Sequence, residues 1–192
     1  MSDKSLIEWT DATWNPVTGC TKVSQGCKNC YAERVFPRAY GSARAFTDVR
    51  THPDRLDQPL RWKKPRRIFV NSMSDLFHED VPDEFIQRVM GVALACPRHT
   101  FQILTKRPQR MLKFFKERRP IHPRANVEFG VAWDAMNYIW LGVSVENQVT
   151  ADERIPLLLQ TPAAVRFVSY EPALGPVQFT GICSVPTCFN AL

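Results

Sequence analysis

The sequence predicts an α/β fold, an incomplete TIM-like barrel of parallel βα units with about five strands. Three observations lead there. Short β-branched and aromatic runs alternate with helical patterns of roughly 10–15 residues, as a parallel sheet requires. At 192 residues the chain falls short of the ~250 residues typical of a complete eight-fold barrel. That leaves an incomplete barrel or an open doubly wound sheet. No GxGxxG follows a strand, which weakens a dinucleotide-binding form, and the absence of GxxxxGK followed by Ser or Thr excludes a P-loop.

The elements follow in order. Residues 13–18 (TWNPVT) form a short strand that runs into a cysteine-bearing loop, and residues 30–40, opened by CYAERV, form a helix. Residues 48–67 are rich in proline and charge and are irregular. IFVN at 68–71 is a buried strand. Between Asp83 and Ala95, the apolar Phe85, Ile86, Val89, Met90, Val92 and Ala93 share one helical face, with Asp83 as N-cap or first-turn acid. FQIL at 101–104 is the next strand. Residues 109–118 make a basic amphipathic helix, with Pro108 suited to its first turn. Residues 119–138 show no period. WLGVSV at 140–145 is a strand, residues 150–160 a helix that Pro156 restarts or kinks, and VRFVS at 165–169 the last strand.

Composition bounds the class. Hydrophobic residues are 44% and charged residues 23%, as in ordinary globular proteins, which sets aside coiled coil, collagen and wholesale disorder. Fifteen prolines against eight glycines imply sharply punctuated loops. No apolar run approaches the ~20 residues of a membrane span, and MSDKSLIEWTDATWN lacks a signal-peptide core. The expected compartment is the cytoplasm, where six cysteines serve as ligands or free thiols rather than disulfides.

Cys20, Cys27 and Cys30 fall on one loop, TGCTKVSQGCKNCYAER, with Gly19 and Gly26 permitting tight turns. Three thiolates on one loop can converge on a metal. A structural zinc usually takes four ligands, so this set would need Cys183 or Cys188 to complete it. A [4Fe–4S] cluster can be held by three cysteines at three irons, with the fourth iron open. Reduced thiols without metal are the remaining reading of the residues alone.

A glycine-flanked loop ending Cys-x2-Cys-aromatic, directly after the first strand of a βα repeat, resembles the radical S-adenosylmethionine superfamily. The superfamily's usual spacing is x3 then x2, whereas this chain has x6 then x2. The resemblance is closer to an uncharacterised phage-associated family labelled phage Gp or three-cysteine-motif protein. It is carried by IEWTDATWNPVTGCTKVSQGCKNCYAER, RWKKPRRIFVNSMSDLFHEDVP, LTKRPQRM, LGVSVENQ and RFVSYEPALGPV, which cover residues 7 to about 177. It implies a [4Fe–4S] cluster on Cys20, Cys27 and Cys30, its open iron chelated by S-adenosyl-L-methionine, and cleavage of that sulfonium to a 5′-deoxyadenosyl radical. The family continues beyond this point with a further strand and a Gly-Gly-Glu-Ser-Gly-like segment. Here QFTGICSVPTCFNAL ends the chain, so the resemblance implies a C-terminal truncation. Residues 1–177 are the expected partial barrel and residues 178–192 a poorly packed tail.

Sites in parallel βα folds form at the C-terminal ends of strands, and several strands here end in polar residues. IFVN runs into Ser72, Met73, Ser74 and Asp75; FQIL into Thr105, Lys106 and Arg107; WLGV into Ser144, Glu146 and Asn147; VRFV into Ser169 and Glu171. Such residues often cap the next helix, which is the expectation for Asn71 and Thr150. Charge clustered at strand ends is costly unless it pairs or binds a ligand, so Lys106, Glu146 and Glu171 point to a site. Asp75, Lys106, Glu146 and Glu171 are expected around a cavity that the cysteine loop borders. The resemblance implies that Ser72, Ser74 and Asp75 meet the methionine amino group, and that Ser144, Glu146 and Asn147 approach the ribose or carboxylate.

The net charge of +6 is concentrated. Arg61, Lys63, Lys64, Arg66 and Arg67 form one basic run. A second spans residues 106–120 and includes Arg110, Lys113 and Lys116; outside the two runs the chain is net −5. With Trp62, Phe114 and Phe115 interleaved, these runs are either a nucleic-acid surface or a solvated face whose aromatics pack inward. The function expected is a radical S-adenosylmethionine-type iron–sulfur enzyme of unknown substrate, with nucleic acid in a phage or mobile-element setting as the candidate. The alternatives are a noncatalytic basic module with structural zinc or cluster, and an inert truncated relic.

Overall fold

The computed structural model describes residues 5 and 7–179. In chain order the strands are β1 (Ala12–Trp14), β2 (Val17–Thr18), β3 (Arg50–Thr51), β4 (Arg67–Val70), β5 (Thr100–Thr105), β6 (Ile139–Val145) and β7 (Val165–Tyr170). The helices are α1 (Tyr31–Tyr40), α2 (Gln58–Arg61), α3 (Asp83–Leu94), α4 (Pro108–Glu117) and α5 (Gln148–Gln160). Among the described residues no helix is long and apolar enough to cross a membrane.

Five strands form one sheet in the order β1-β4-β5-β6-β7, every pair parallel. The order follows the chain without reversal. A doubly wound sheet reverses its order at a switch point, so the architecture is the partial barrel. β2 and β3 make a separate antiparallel ribbon. Register places Val70 beside Ile103, Ile103 beside Leu141 and Leu141 beside Arg166.

Side chains alternate across each strand, and that alternation builds the core. Leu141, Val143 and Val145 of β6 are fully buried beneath the helices together with Ile68, Val70, Phe101 and Ile103. Burying one such side chain stabilises by about 1.5–3 kcal/mol. The helices supply Ile86, Val89 and Met90 from α3, Met111, Phe114 and Phe115 from α4, and Ala151, Ile155 and Leu158 from α5. On the concave face Gly142 leaves room for the Phe167 ring.

Two local expectations change and a third is narrowed. Helix α5 starts at Gln148, because Asn147 is its cap: the Asn147 side chain accepts from the Thr150 N–H, and the Thr150 hydroxyl accepts from the Asn147 N–H. Thr150 is therefore the third helical residue of a capping box. Pro156 leaves α5 continuous; the carbonyl deprived of its partner belongs to Asp152, which is exposed to water. Asp83 holds the second of its two expected roles, an acid in the first turn of α3 after Pro82, and its carboxylate accepts from Arg110 and Arg118.

Residues 119–138 are organised by tertiary contacts. Trp133 packs edge-on against Phe115, and Gln87 binds the Arg119 carbonyl and the Glu128 carboxylate while its own carbonyl accepts from Ile121 N. This segment crosses α3 at Gly91, where an added Cβ would lie 1.7 Å from the Ile121 carbonyl oxygen. Gly91→Ala is expected to destabilise by roughly 1–3 kcal/mol, lowering Tm by about 2–12 °C. Thermal unfolding by circular dichroism checks it, and an unchanged Tm would show that residue 121 withdraws freely.

Beyond β7, Leu174 N donates to the Glu146 carbonyl, Gln178 N to Gln148, and the Phe179 ring stands edge-on to Tyr170. Residues 180–192, with Cys183 and Cys188, lie outside the described residues, as does nearly all of the segment expected to pack poorly.

Candidate cofactor site at the strand ends

The cysteine loop leaves β1 at its C-terminal end and is tied down at several points. Gly19 has a positive φ of 90° and lies so close to Asp48 that a Cβ would stand 2.5 Å from its carbonyl oxygen. Gly19 N donates to the Met73 carbonyl and Cys20 N to the Phe46 carbonyl. A 3-10 turn spans Gln25–Cys27, and Cys30 caps α1, where the helix N-terminus favours an anionic sulfur. Gly26 serves a purpose other than the tight turn expected: its missing Cβ makes room for Glu146, whose carboxylate would otherwise stand 2.6 Å away.

Cys20, Cys27 and Cys30 are half-buried free thiols that line one cavity of about 710 Å³. That volume suits a cofactor-sized ligand. Ser72, Ser74, Asp75, Lys106, Ser144 and Glu171, drawn from the ends of β4 to β7, line the same cavity. Trp9, Phe46 and Phe69 form an apolar wall. Glu146 and Asn147 are not in the lining. Glu146 is fully buried one layer behind, and Asn147 caps α5.

Each polar residue has a defined employment. The Ser72 hydroxyl donates to Asn15 and the Ser74 hydroxyl to the Val17 carbonyl, so both brace the start of the cysteine loop. The buried Asp75 carboxylate accepts from Phe77 N at 2.9 Å, Thr105 Oγ1 at 2.7 Å and Lys106 N at 3.0 Å. It also faces Arg107 at 3.5 Å. Its lone pairs are taken up by the protein, so Asp75 positions the site. Lys106 Nζ lies 3.3 Å from Glu146 Oε1 and reaches toward the Glu171 carbonyl. The same Oε1 accepts from Ser24 and Arg154, while Oε2 is buried without a partner. Burial alone would raise the Glu146 carboxyl, but Ser24, Arg154 and Lys106 together hold it below its ordinary range.

Arg107 and His78 carried no assigned role in the sequence, and Asn71 was expected to cap a helix. Arg107 is buried, and its guanidinium reaches Glu79, Thr21, Asp75 and Cys20. His78 is fully buried; its Nδ1 accepts from Asp80 N, so Nε2 carries the proton toward Thr21 Oγ1 at 2.8 Å. Asn71, at a φ of 61°, accepts from Val17 N through Oδ1, leaving a buried, unpartnered Nδ2 at the cavity wall. It therefore braces the first loop and caps no helix. The one sequence signal for Arg107 was its position: a cation at a strand end, next to a helix-starting proline.

Burial first, then Asp75, pushes the Cys20 thiol up to about 11, so it is neutral near pH 7; binding a metal would require its deprotonation. The Arg107 hydrogen bond holds the Glu79 carboxyl down at about 2, and burial, then Arg107, keeps His78 below its usual range. For both groups the unfolded chain binds protons more readily, so acid favours unfolding. Glu79 contributes fully above its unfolded value of ~4.3 and loses that contribution as pH falls toward 2. Tm of the metal-free chain is expected to drop across that window, and less steeply in Glu79→Gln. Parallel Tm–pH curves for the two chains would contradict the assignment.

Among the described residues no three His, Cys, Asp or Glu side chains are grouped as one metal ion would need. A tetrahedral zinc draws its sulfurs within ~2.3 Å of a single centre, whereas a cluster takes each cysteine on a separate iron. In this chain three thiols border one cavity, and the Asp75 and Glu146 carboxylates beside them are engaged by protein donors.

The basic residues are placed differently. Arg61 to Arg67 enter β4 at the end of the sheet opposite the cysteine loop. Arg61 pairs with Asp57, Arg66 lies over the Trp62 ring, and Arg67 pairs with Asp11, while Lys63 and Lys64 are exposed. Arg110 holds the His78 and Val81 carbonyls and Asp83, whereas Lys113 and Lys116 are exposed. Trp62, Phe114 and Phe115 are buried, so they belong to the core rather than to a stacking surface.

A family model described as Protein of unknown function (DUF5131) matches residues 4–186. No curated protein matches the chain. Among solved structures, a cysteine-to-serine mutant of spore photoproduct lyase aligns with a TM-score of 0.60 at 15% identity, covering 88% of this chain and 48% of that one. Spore photoproduct lyase complexed with dinucleoside spore photoproduct aligns at 0.59, with the same identity and coverage. The likeness is one of fold, an α/β partial barrel of parallel strands, and the chain spans about half the length of those structures.

Proposed function

The chain belongs to the family described as Protein of unknown function (DUF5131), and we propose that it is a radical S-adenosylmethionine-type iron–sulfur enzyme. One observation carries the reading: Cys20, Cys27 and Cys30 border the same cavity as the polar C-terminal ends of the parallel strands. On this reading the three thiolates hold a [4Fe–4S] cluster and the cavity binds S-adenosylmethionine. A cluster of that type supplies the electron that cleaves the sulfonium; the protein supplies ligation, orientation and exclusion of water.

Ser72, Ser74 and the backbone that Asp75 fixes would hold the methionine amino group, and Ser144, Lys106 and Glu171 would hold its carboxylate and ribose. Glu146 and Asn147 would act from behind the cavity lining, Glu146 by orienting Lys106 and Asn147 by capping α5. Trp9, Phe46 and Phe69 offer a dry wall where a reactive species is shielded from water. We place the protein in a reducing cytoplasm, which keeps the free thiols competent, and in a phage or mobile-element setting with nucleic acid as substrate. Lys63, Lys64, Lys113 and Lys116 support that substrate; the 61–67 run, remote from the cavity, would hold flanking backbone rather than the reacting nucleotide.

The test is anaerobic reconstitution with iron and sulfide, followed by metal analysis and an assay for 5′-deoxyadenosine from S-adenosylmethionine under dithionite. Iron and sulfide in cluster stoichiometry with 5′-deoxyadenosine formation is the expected result. Stoichiometric zinc without iron would overturn it in favour of a structural module.

A further inference from the structure

We propose that Arg107 is a positioning residue that sets the reduction potential of the iron–sulfur site through a hydrogen bond to the Cys20 sulfur. This inference rests on the cluster reading above.

A guanidinium has five N–H groups and no acceptor, and a buried one needs them all engaged. In Arg107, Nε donates to Glu79 at 2.9 Å. Nη2 donates to the Thr21 hydroxyl at 2.8 Å and the Thr21 carbonyl at 3.3 Å. Nη1 faces Asp75 at 3.5 Å and Cys20 Sγ at 3.7 Å. The fork is therefore filled, and one prong belongs to a cysteine sulfur. A neutral thiol is a weak acceptor, but a thiolate makes a charge-assisted bond, so the arrangement is complementary to Cys20 as a metal-bound anion.

The three cysteines are unequal in this respect. Cys27 stands 3.8 Å from the Ser24 hydroxyl, and among the described residues the guanidinium bond goes to Cys20. Asp75 and Glu79 clamp Arg107 from both sides, and its own backbone N is bound by Thr105 Oγ1 at the start of α4. The donor cannot swing away without stranding a buried charge. Hydrogen bonds to cluster sulfurs and nearby charge set reduction potential. A cation donating to Cys20 draws density from the sulfur and stabilises the reduced, more negative state.

The experiment is a dye-mediated reductive titration, read by electron paramagnetic resonance, on the full chain reconstituted with iron and sulfide. Arg107→Gln is expected to load iron to the unmutated level and to titrate at more negative potential. The expected size is about tenfold in the reduction equilibrium, which is about 59 mV for one electron. Glu79→Gln, which leaves the guanidinium less neutralised, is expected to shift the other way. An iron-loaded Arg107→Gln chain at the unmutated potential overturns the inference. If Arg107→Gln fails to load, Glu79→Gln decides: a positive shift supports the inference and no shift overturns it. An unmutated chain that takes up no iron overturns the cluster reading and this inference with it, and iron content alone separates that failure from a null shift.

Discussion

Replacing Cys27 by alanine is expected to reduce iron uptake on anaerobic reconstitution from a full cluster per chain to background, and 5′-deoxyadenosine formation with it. The loop offers three thiols at the cavity, and with Cys27 gone two protein ligands remain for a cluster that needs three. Cys27 ends the 3-10 turn that rests on Glu146 through Gly26, and Oε1 of that carboxylate is held by Ser24, Lys106 and Arg154. Asp75 is engaged by its own donors, and His78 is turned toward Thr21. The fold should survive, because the side chain is half-buried and outside the apolar core. Cys96→Ala is the control: Cys96 is a buried core residue, and its loss should cost stability while leaving iron loading intact. Iron and sulfide per chain, with circular dichroism for folding, measure both. Full iron in a folded Cys27→Ala chain would remove Cys27 from the ligand set.

Asp75→Ala is expected to be the most destabilising change in the site, at about 3–5 kcal/mol, the usual cost of removing one member of a buried ion pair. For a chain of this size that is a fall in Tm of about 6–20 °C. The carboxylate gathers Phe77 N, Thr105 Oγ1, Lys106 N and Arg107. Alanine would leave those donors without their protein acceptor at a buried position. Arg107 would keep Glu79 but lose the anion that fixes its Nη1, so the damage should spread to the cysteine loop. Asp75→Asn retains an acceptor oxygen and should lose less. Thermal unfolding of the three chains decides it, and an alanine variant within about 2 °C of the parent would show that water replaces the carboxylate.

The sequence by itself determined the parallel βα order and the assembly of the site. Short, β-branched and aromatic runs such as IFVN and WLGVSV, set between longer helical patterns, read as strands from the sequence. Once the strands are parallel and in chain order, their C-terminal ends share one side of the sheet, so Ser72, Asp75, Lys106, Ser144 and Glu171 come together with the cysteine loop by topology alone. Tertiary structure decided what each residue there does. Nothing in SVENQVT shows that Asn147 and Thr150 cap each other, or that Glu146 withdraws behind the cavity to hold Lys106. Both depend on the exact start of α5 and on the room left by Gly26, 120 positions earlier in the chain. Gly91 is an ordinary helix residue until the Ile121 carbonyl is laid against it. Arg107 is one more cation in a basic run until folding brings it to Cys20, 87 residues away. Local periodicity reports burial, which each segment expresses on its own. Partner identity is a property of pairs far apart in sequence, and only closing the intervening chain makes it visible.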